Sequence, residues 1–359
     1  MSAMLFASDY DAPHRLAASA AQADRRATAR LTTAIADFFM PERGRLDERG
    51  RAAIGALIES TVLAIEGEIA GYATRLLMSR EVPEAALALS SNQGITLLRL
   101  LESGLLRDAG LMGELVAQSR LDMIDAALIA NRVPGAHPTM LPLLAESDDS
   151  VVRGRAVSYL VAESRRRMPG VTRRAELPGE LHRRLGWWIA AALRERLPAA
   201  AEVDRALVES TQRSITAYDE GERADVAALQ LAAALDPTAS ELPRLLIEAL
   251  AEGRSILFVA LLAHTLDVEP VEARGLTLDA ESDRLWLALR ALGIDRESIA
   301  HIGFLLSEAD RERDVETLAD VLDPIASLAP ELAAQAVAPL SLHREFRAAV
   351  RALARRPRD

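Results

Sequence analysis

Residues 257–273, LFVALLAHTLDVEPVEA, lie without a gap over residues 285–301, LWLALRALGIDRESIAH, at a spacing of 28. Six aligned positions are identical: Leu257/Leu285, Ala260/Ala288, Leu261/Leu289, Ala263/Ala291, Asp267/Asp295 and Glu269/Glu297. Phe258/Trp286, Val259/Leu287, Leu266/Ile294 and Val271/Ile299 keep apolar character. Self-similarity at such a period marks a repeat array, in which each unit buries its apolar face only against its neighbours. The pattern speaks to architecture and is silent on chemistry.

Outward from this pair the same texture continues. Apolar residues recur at three- and four-residue spacing, strict alternation is missing, and Pro and Gly fall between periodic segments. The expected fold is therefore all-α: an α-solenoid of short helix pairs with an extra N-terminal helix. In the C-terminal part the spacing predicts helices over 240–250, 254–266, 270–278, 282–293, 295–309, 314–322, 327–337 and 341–355. Earlier in the chain the helix ends ALALS (86–90), LVAQS (115–119) and LLAES (143–147) place Ser90, Ser119 and Ser147 at spacings of 29 and 28. Ser119 with Asp122, and Asp219 with Glu222, have the spacing of capping boxes. Four segments follow: an N-terminal helix in 1–45, a repeat half in 46–168, a basic turn-rich junction in 169–199, and a second repeat half with a basic tail in 200–359. The N-terminal helix carries a narrow stripe (Leu16, Ala20, Ala23, Ala27, Leu31, Ile35, Phe38) that suits either docking on the body or pairing of two chains.

The segment DDSVVRGRAVSYLVAE (148–163) resembles the second helix of a HEAT-type repeat through Asp148, Asp149, Val151, Val152, Arg153, Ala156 and Leu160. With the 28-residue period and the length, the chain resembles a bacterial family of HEAT-like helical-repeat proteins catalogued as domain of unknown function 2336. The resemblance covers roughly residues 45–340. It implies an α-solenoid, with Asp148 and Asp149 capping the helix and Arg153 bridging to a neighbouring unit's acid. It carries over no catalytic residues.

Composition excludes several chemistries. The chain has 359 residues and no cysteine, so disulfides, thiolate metal sites and cysteine nucleophiles are out. All 42 basic residues are arginine, which removes a P-loop lysine and Schiff-base chemistry. A formal charge of −11 disfavours nucleic acid as a general partner. The N-terminus lacks the basic region of a secretory signal, and no apolar run approaches the roughly 20 residues of a membrane span. A cytoplasmic protein with no membrane contact and no cofactor is expected. The six histidines show no two-His helical spacing, so no metal site is expected. There is no GxSxG elbow and no GxGxxG loop.

Charge supplies the one local anomaly. Residues 151–200 hold eleven arginines against four acids, a balance of +7, while the remainder of the chain carries −18. Arg165, Arg166, Arg167, Arg173, Arg174, Arg183 and Arg184 gather about the junction, with His182 beside them and Trp187 and Trp188 just after. Guanidinium groups suit carboxylates and phosphates, and an indole can stack on a base or an arginine. These ten residues are the candidate site for an anion or an acidic partner. The same run also reads as solvated surface whose arginines pair with the protein's own acids. The functional expectation is a non-enzymatic scaffold that binds another protein. Its competitors are a HEAT-like enzyme acting on nucleic acid, of the alkylpurine glycosylase type, and a nucleotide or anion sensor built on the arginines.

Overall fold

The computed structural model describes residues 47–90, 95–132, 140–168, 173–280 and 283–354. The expected N-terminal helix of 1–45, and the chain pairing assigned to it, lie outside the described residues. Among those described the fold is all-α. The helices are α1 (Glu48–Ser79), α2 (Pro83–Ser90), α3 (Ile95–Ser103), α4 (Ala109–Ala130), α5 (Met140–Ala145), α6 (Ser150–Arg166), α7 (Gly179–Glu195), α8 (Ala201–Ala217) and α9 (Ala224–Leu235). They continue as α10 (Leu242–Ala251), α11 (Ser255–Leu266), α12 (Pro270–Leu278), α13 (Arg284–Ala291), α14 (Arg296–Ala309), α15 (Val315–Ser327), α16 (Pro330–Val337) and α17 (Arg344–Ala354). No helix among the described residues is long and apolar enough to cross a membrane.

Local chemistry sets several of the helix starts. Pro270 and Pro330 open their helices, where a missing N–H costs nothing. Asp108, Asp149, Asp295 and Asp314 cap α4, α6, α14 and α15 through their carboxylates. The quoted repeat is α11 over α13. Leu257, Leu261, Leu285 and Leu289 are fully buried, and Ala260, Ala288, Phe258 and Trp286 are buried with them. The two units end differently. Asp267 closes α11 in a left-handed conformation (φ 52°), whereas Gly293 (φ 75°) takes that role after α13. The residue aligned with Asp267, Asp295, instead caps α14, accepting from the Ser298 N–H at 2.9 Å.

Two apolar cores result. One joins α1, α2 and the N-terminal part of α4 (Leu111, Leu115) to the segment 175–207. The other joins the C-terminal part of α4 (Leu121, Ile124, Leu128) and α6 to residues of α9–α15. Helix α4 therefore belongs to both, and it packs against α10, α11, α12 and α14. Its length corrects the expected helix end at Ser119. Ser119 is buried in mid-helix, because LVAQSRLDMIDAALIA continues apolar at helical spacing with no breaker before Asn131. The second expected capping box also differs. Asp219 accepts from the Gly221 N–H at 2.8 Å and caps a single 3₁₀ turn, Glu220–Glu222, ahead of α9.

Candidate functional site

Helix α6 carries the site outward from its first residue. Asp149 accepts from the Val151 and Val152 N–H groups at 2.7 and 3.3 Å, the capping role the sequence implies; Asp148 is an exposed turn residue beside it. Val152 is buried, and Ala156 fully so. Arg153 does not bridge to another unit: its guanidinium donates to the Ser147 carbonyl at 2.5 Å, folding back over its own turn.

Further along, Ala156, Tyr159, Glu163 and Arg166 fall on one helical face and turn inward. The three-arginine run thus divides by helical geometry. Arg166 is buried, its Nη1 at 3.1 Å from Asp125 and its Nη2 at 2.5 Å from Asp122, both on α4. Glu163 accepts from Arg167 at 2.9 Å and from Arg254. Asp125 also accepts from the Ser255 N–H at 2.7 Å, and Arg167 donates to the Gly253 carbonyl. Arg173 adds a second cation on Asp122. Burial works against the Arg166 charge, and Asp125 and Glu163 outweigh it, so its affinity for the proton rises. This buried ionic centre ties α4, α6 and the 252–255 turn together. Arg166 thus departs from the expected solvated surface by its burial, while the pairing of these arginines with the protein's own acids is as expected.

Arg165 and Arg174 stay near water. Arg165 pairs with Glu222, and Arg174 pairs with Glu68 at 2.7 Å; their side chains are 47% and 50% exposed. Both line a hollow of about 480 Å³, together with Arg166, Met168, Tyr218 and Arg223. Tyr218 forms its aromatic wall and is backed by His182, the rings stacked 3.9 Å apart and 7° from parallel. The Tyr218 hydroxyl donates to the Leu177 carbonyl at 2.5 Å. Burial pushes its pKa to about 12, and burial lowers that of His182. The remaining candidates sit elsewhere. Arg184 pairs with Asp108 at 2.7 Å, and Arg183 lies 3.6 Å from Glu180. Trp187 and Trp188 are half-buried, Trp188 against the first core, and neither lines the hollow.

A larger cavity of about 870 Å³ shares Arg166, Glu176 and Arg223 with that hollow and opens among α4, α9, α11 and α12. Leu121, Leu229, Ile256 and Val259 contribute apolar wall. Glu114 takes a two-pronged ion pair from Arg274, both contacts 2.7 Å, and a hydrogen bond from Gln118 at 2.9 Å. Burial raises the Glu114 pKa, but the Arg274 guanidinium outweighs it and the net direction is down. Sequence reasoning missed Glu114, Asp122, Asp125, Glu163, Glu176, Arg254 and Arg274 as site residues. Their partners stand far off in the chain, and the one readable signal was the Tyr159–Glu163–Arg166 spacing on α6.

These features define an all-helical protein with a buried ionic centre where α4, α6 and the 252–255 turn meet. The family model described as an uncharacterised protein conserved in bacteria (DUF2336) matches residues 143–338, more than half of the chain, and the chain belongs to that family. No curated protein and no solved structure matches it.

Proposed function

We propose that the chain is a non-enzymatic helical-repeat scaffold that holds an acidic, partly apolar segment of another protein along α6 and into the junction hollow. The carrying observation is the outer face of α6. Val157 and Val161 are exposed one turn apart on α6, and Met168, two residues past the end of the helix, is exposed at the rim of the hollow. Scattered exposed apolar residues mean little, but a stripe that meets cations is the pattern of a docking surface. Arg165 and Arg174 complete it. Their ion pairs are half-exposed and worth about 0–1 kcal/mol each, so a partner's carboxylates can replace Glu222 and Glu68 at little cost.

The test keeps the fold intact by sparing the buried Arg166. Immobilised full chain and the variant Arg165→Glu/Arg174→Glu/Val161→Ser would capture bound material from a bacterial lysate, eluted by rising salt. The expected result is one or a few proteins retained by wild type, lost from the variant, and displaced by a synthetic peptide copying their acidic segment. Retention of a nucleotide instead, with Tyr218 as the stacking wall, would favour the sensor reading. Identical capture by both baits would sink the docking site.

A further inference from the structure

The large cavity has a composition that the scaffold reading does not use. At about 870 Å³ it falls within the roughly 300–1,000 Å³ of small-ligand sites, which are mostly apolar with a few placed polar groups. Four of its five acids are engaged. Glu114 is held by Arg274, Asp225 and Glu220 by Arg223 at 2.9 and 2.8 Å, and Glu176 accepts from the Ala224 N–H at 2.9 Å. Glu269, at the exposed edge, has among the described residues only the His343 imidazole at 3.9 Å, an ion pair only when that ring is protonated. Three of the lining cations are engaged in turn, Arg166 by Asp122 and Asp125, and Arg223 and Arg274 by the acids just named. The fourth, Arg344 on α17, is exposed, and among the described residues it has no ion-pair partner. An apolar chamber with one uncommitted guanidinium selects an apolar body bearing one anionic group.

We infer that this cavity binds an amphipathic small molecule with a single anionic head group, its body against Leu121, Leu229, Ile256 and Val259 and its head at Arg344. The wall provides its own blocking position. Gly113 of α4 lines the cavity, and a Cβ built there meets nothing within 4 Å. A large side chain at 113 therefore fills ligand space instead of displacing protein. Replacing a mid-helix glycine also removes its conformational penalty.

Isothermal titration calorimetry of the full chain with dodecanoate, dodecyl phosphate and dodecanol tests the inference. The expected result is saturable binding of dodecanoate at one site per chain, weakened at least about tenfold in Gly113→Phe and unchanged in Gly113→Ala. Arg344→Gln should weaken dodecanoate about tenfold and leave dodecanol unaffected. Dodecyl phosphate binding alongside dodecanoate marks a general anion requirement; dodecanoate alone marks a carboxylate one, and both support the site. Circular dichroism melts report whether Gly113→Phe folds, and if it does not, the exposed Arg344→Gln carries the test. Absence of saturable dodecanoate binding, undiminished binding by folded Gly113→Phe, or dodecanol bound as tightly as dodecanoate would each overturn the inference. None of these readouts involves the α6 docking face, so the two proposals fail separately.

Discussion

Arg166 is the side chain at the junction whose loss costs most. Removing it leaves Asp122, Asp125 and Glu163 together with less compensating charge, Asp125 and Glu163 in the interior. Breaking a buried ion pair from one side costs about 3–5 kcal/mol. Arg166→Ala should therefore lower the urea midpoint sharply, whereas Arg165→Ala, on a half-exposed pair, should change stability by less than about 1 kcal/mol. Equal effects would show that the buried centre is energetically idle. His182 makes a pH prediction. Burial lowers its folded-state pKa below the ordinary 6.5, and its Nε2 is buried with no hydrogen-bond partner among the described residues. A group held neutral in the folded state contributes stability that is present above its unfolded pKa and lost as pH falls through the folded one. The melting temperature should thus drop as pH is taken below about 6.5, and His182→Phe, which keeps a ring against Tyr218, should flatten that drop. An unchanged acid limb in the variant would remove His182 as its cause. Glu114, whose net shift is downward, adds a second loss further into the acid range.

At the scale of the element, the repeat register makes the strongest demand. Leu261 is fully buried in the middle of α11, which has no exposed face between Ser255 and Ala263. Leu261→Asp buries an unpaired carboxylate and should cost more than about 4 kcal/mol, enough to unfold the second core. A cooperative, wild-type-like melt would contradict the register. The turn before α11 is constrained differently. Gly253 has φ +66°, and a Cβ there would stand 2.6 Å from Ile129 and 2.9 Å from the Asp125 carbonyl. Gly253→Ala should destabilise by about 1–3 kcal/mol, combining left-handed strain with a clash against α4. A thermal melt decides it, and a neutral outcome would mean that the turn and α4 part without cost. Both elements were readable beforehand: α10 to α17 begin and end within about three residues of their expected limits, since periodicity and caps are local properties, except that α15 runs on to Ser327, five residues past 322, with Pro324 inside it. The Asp267/Asp295 pair shows the limit of that reading. Identical residues in register close one helix and open another, because helix α13 stops three residues earlier relative to the repeat.

For the whole molecule, the distribution of contacts matters more than the repeat. Helix α4 spans both cores and meets four helices of the C-terminal half, so the packing extends beyond a helix and its sequence neighbour. The basic character of 151–200 is largely absorbed internally: Arg165, Arg166, Arg173, Arg174 and Arg184 each meet an acid from another element. High salt should accordingly weaken partner capture at Arg165 and Arg174 strongly while leaving the melting temperature almost unchanged, because screening acts on exposed charge and spares the buried centre. A parallel loss of both would place the stability in the surface pairs.

The all-helical class, most helix limits of the C-terminal half, the buried leucines of the 28-residue repeat and the family were legible in the residues alone. Each follows from spacing of a few residues or from self-similarity, and neither needs knowledge of where the chain returns. Which arginine of 165–167 is buried, the meeting of Glu114 with Arg274 across 160 positions, and the two cavities that flank Arg166, Glu176 and Arg223 emerge from long-range packing. Those outcomes depend on helices distant in sequence converging on one point, and the free energy of an ion pair or a cavity is set by that convergence and its exclusion of water.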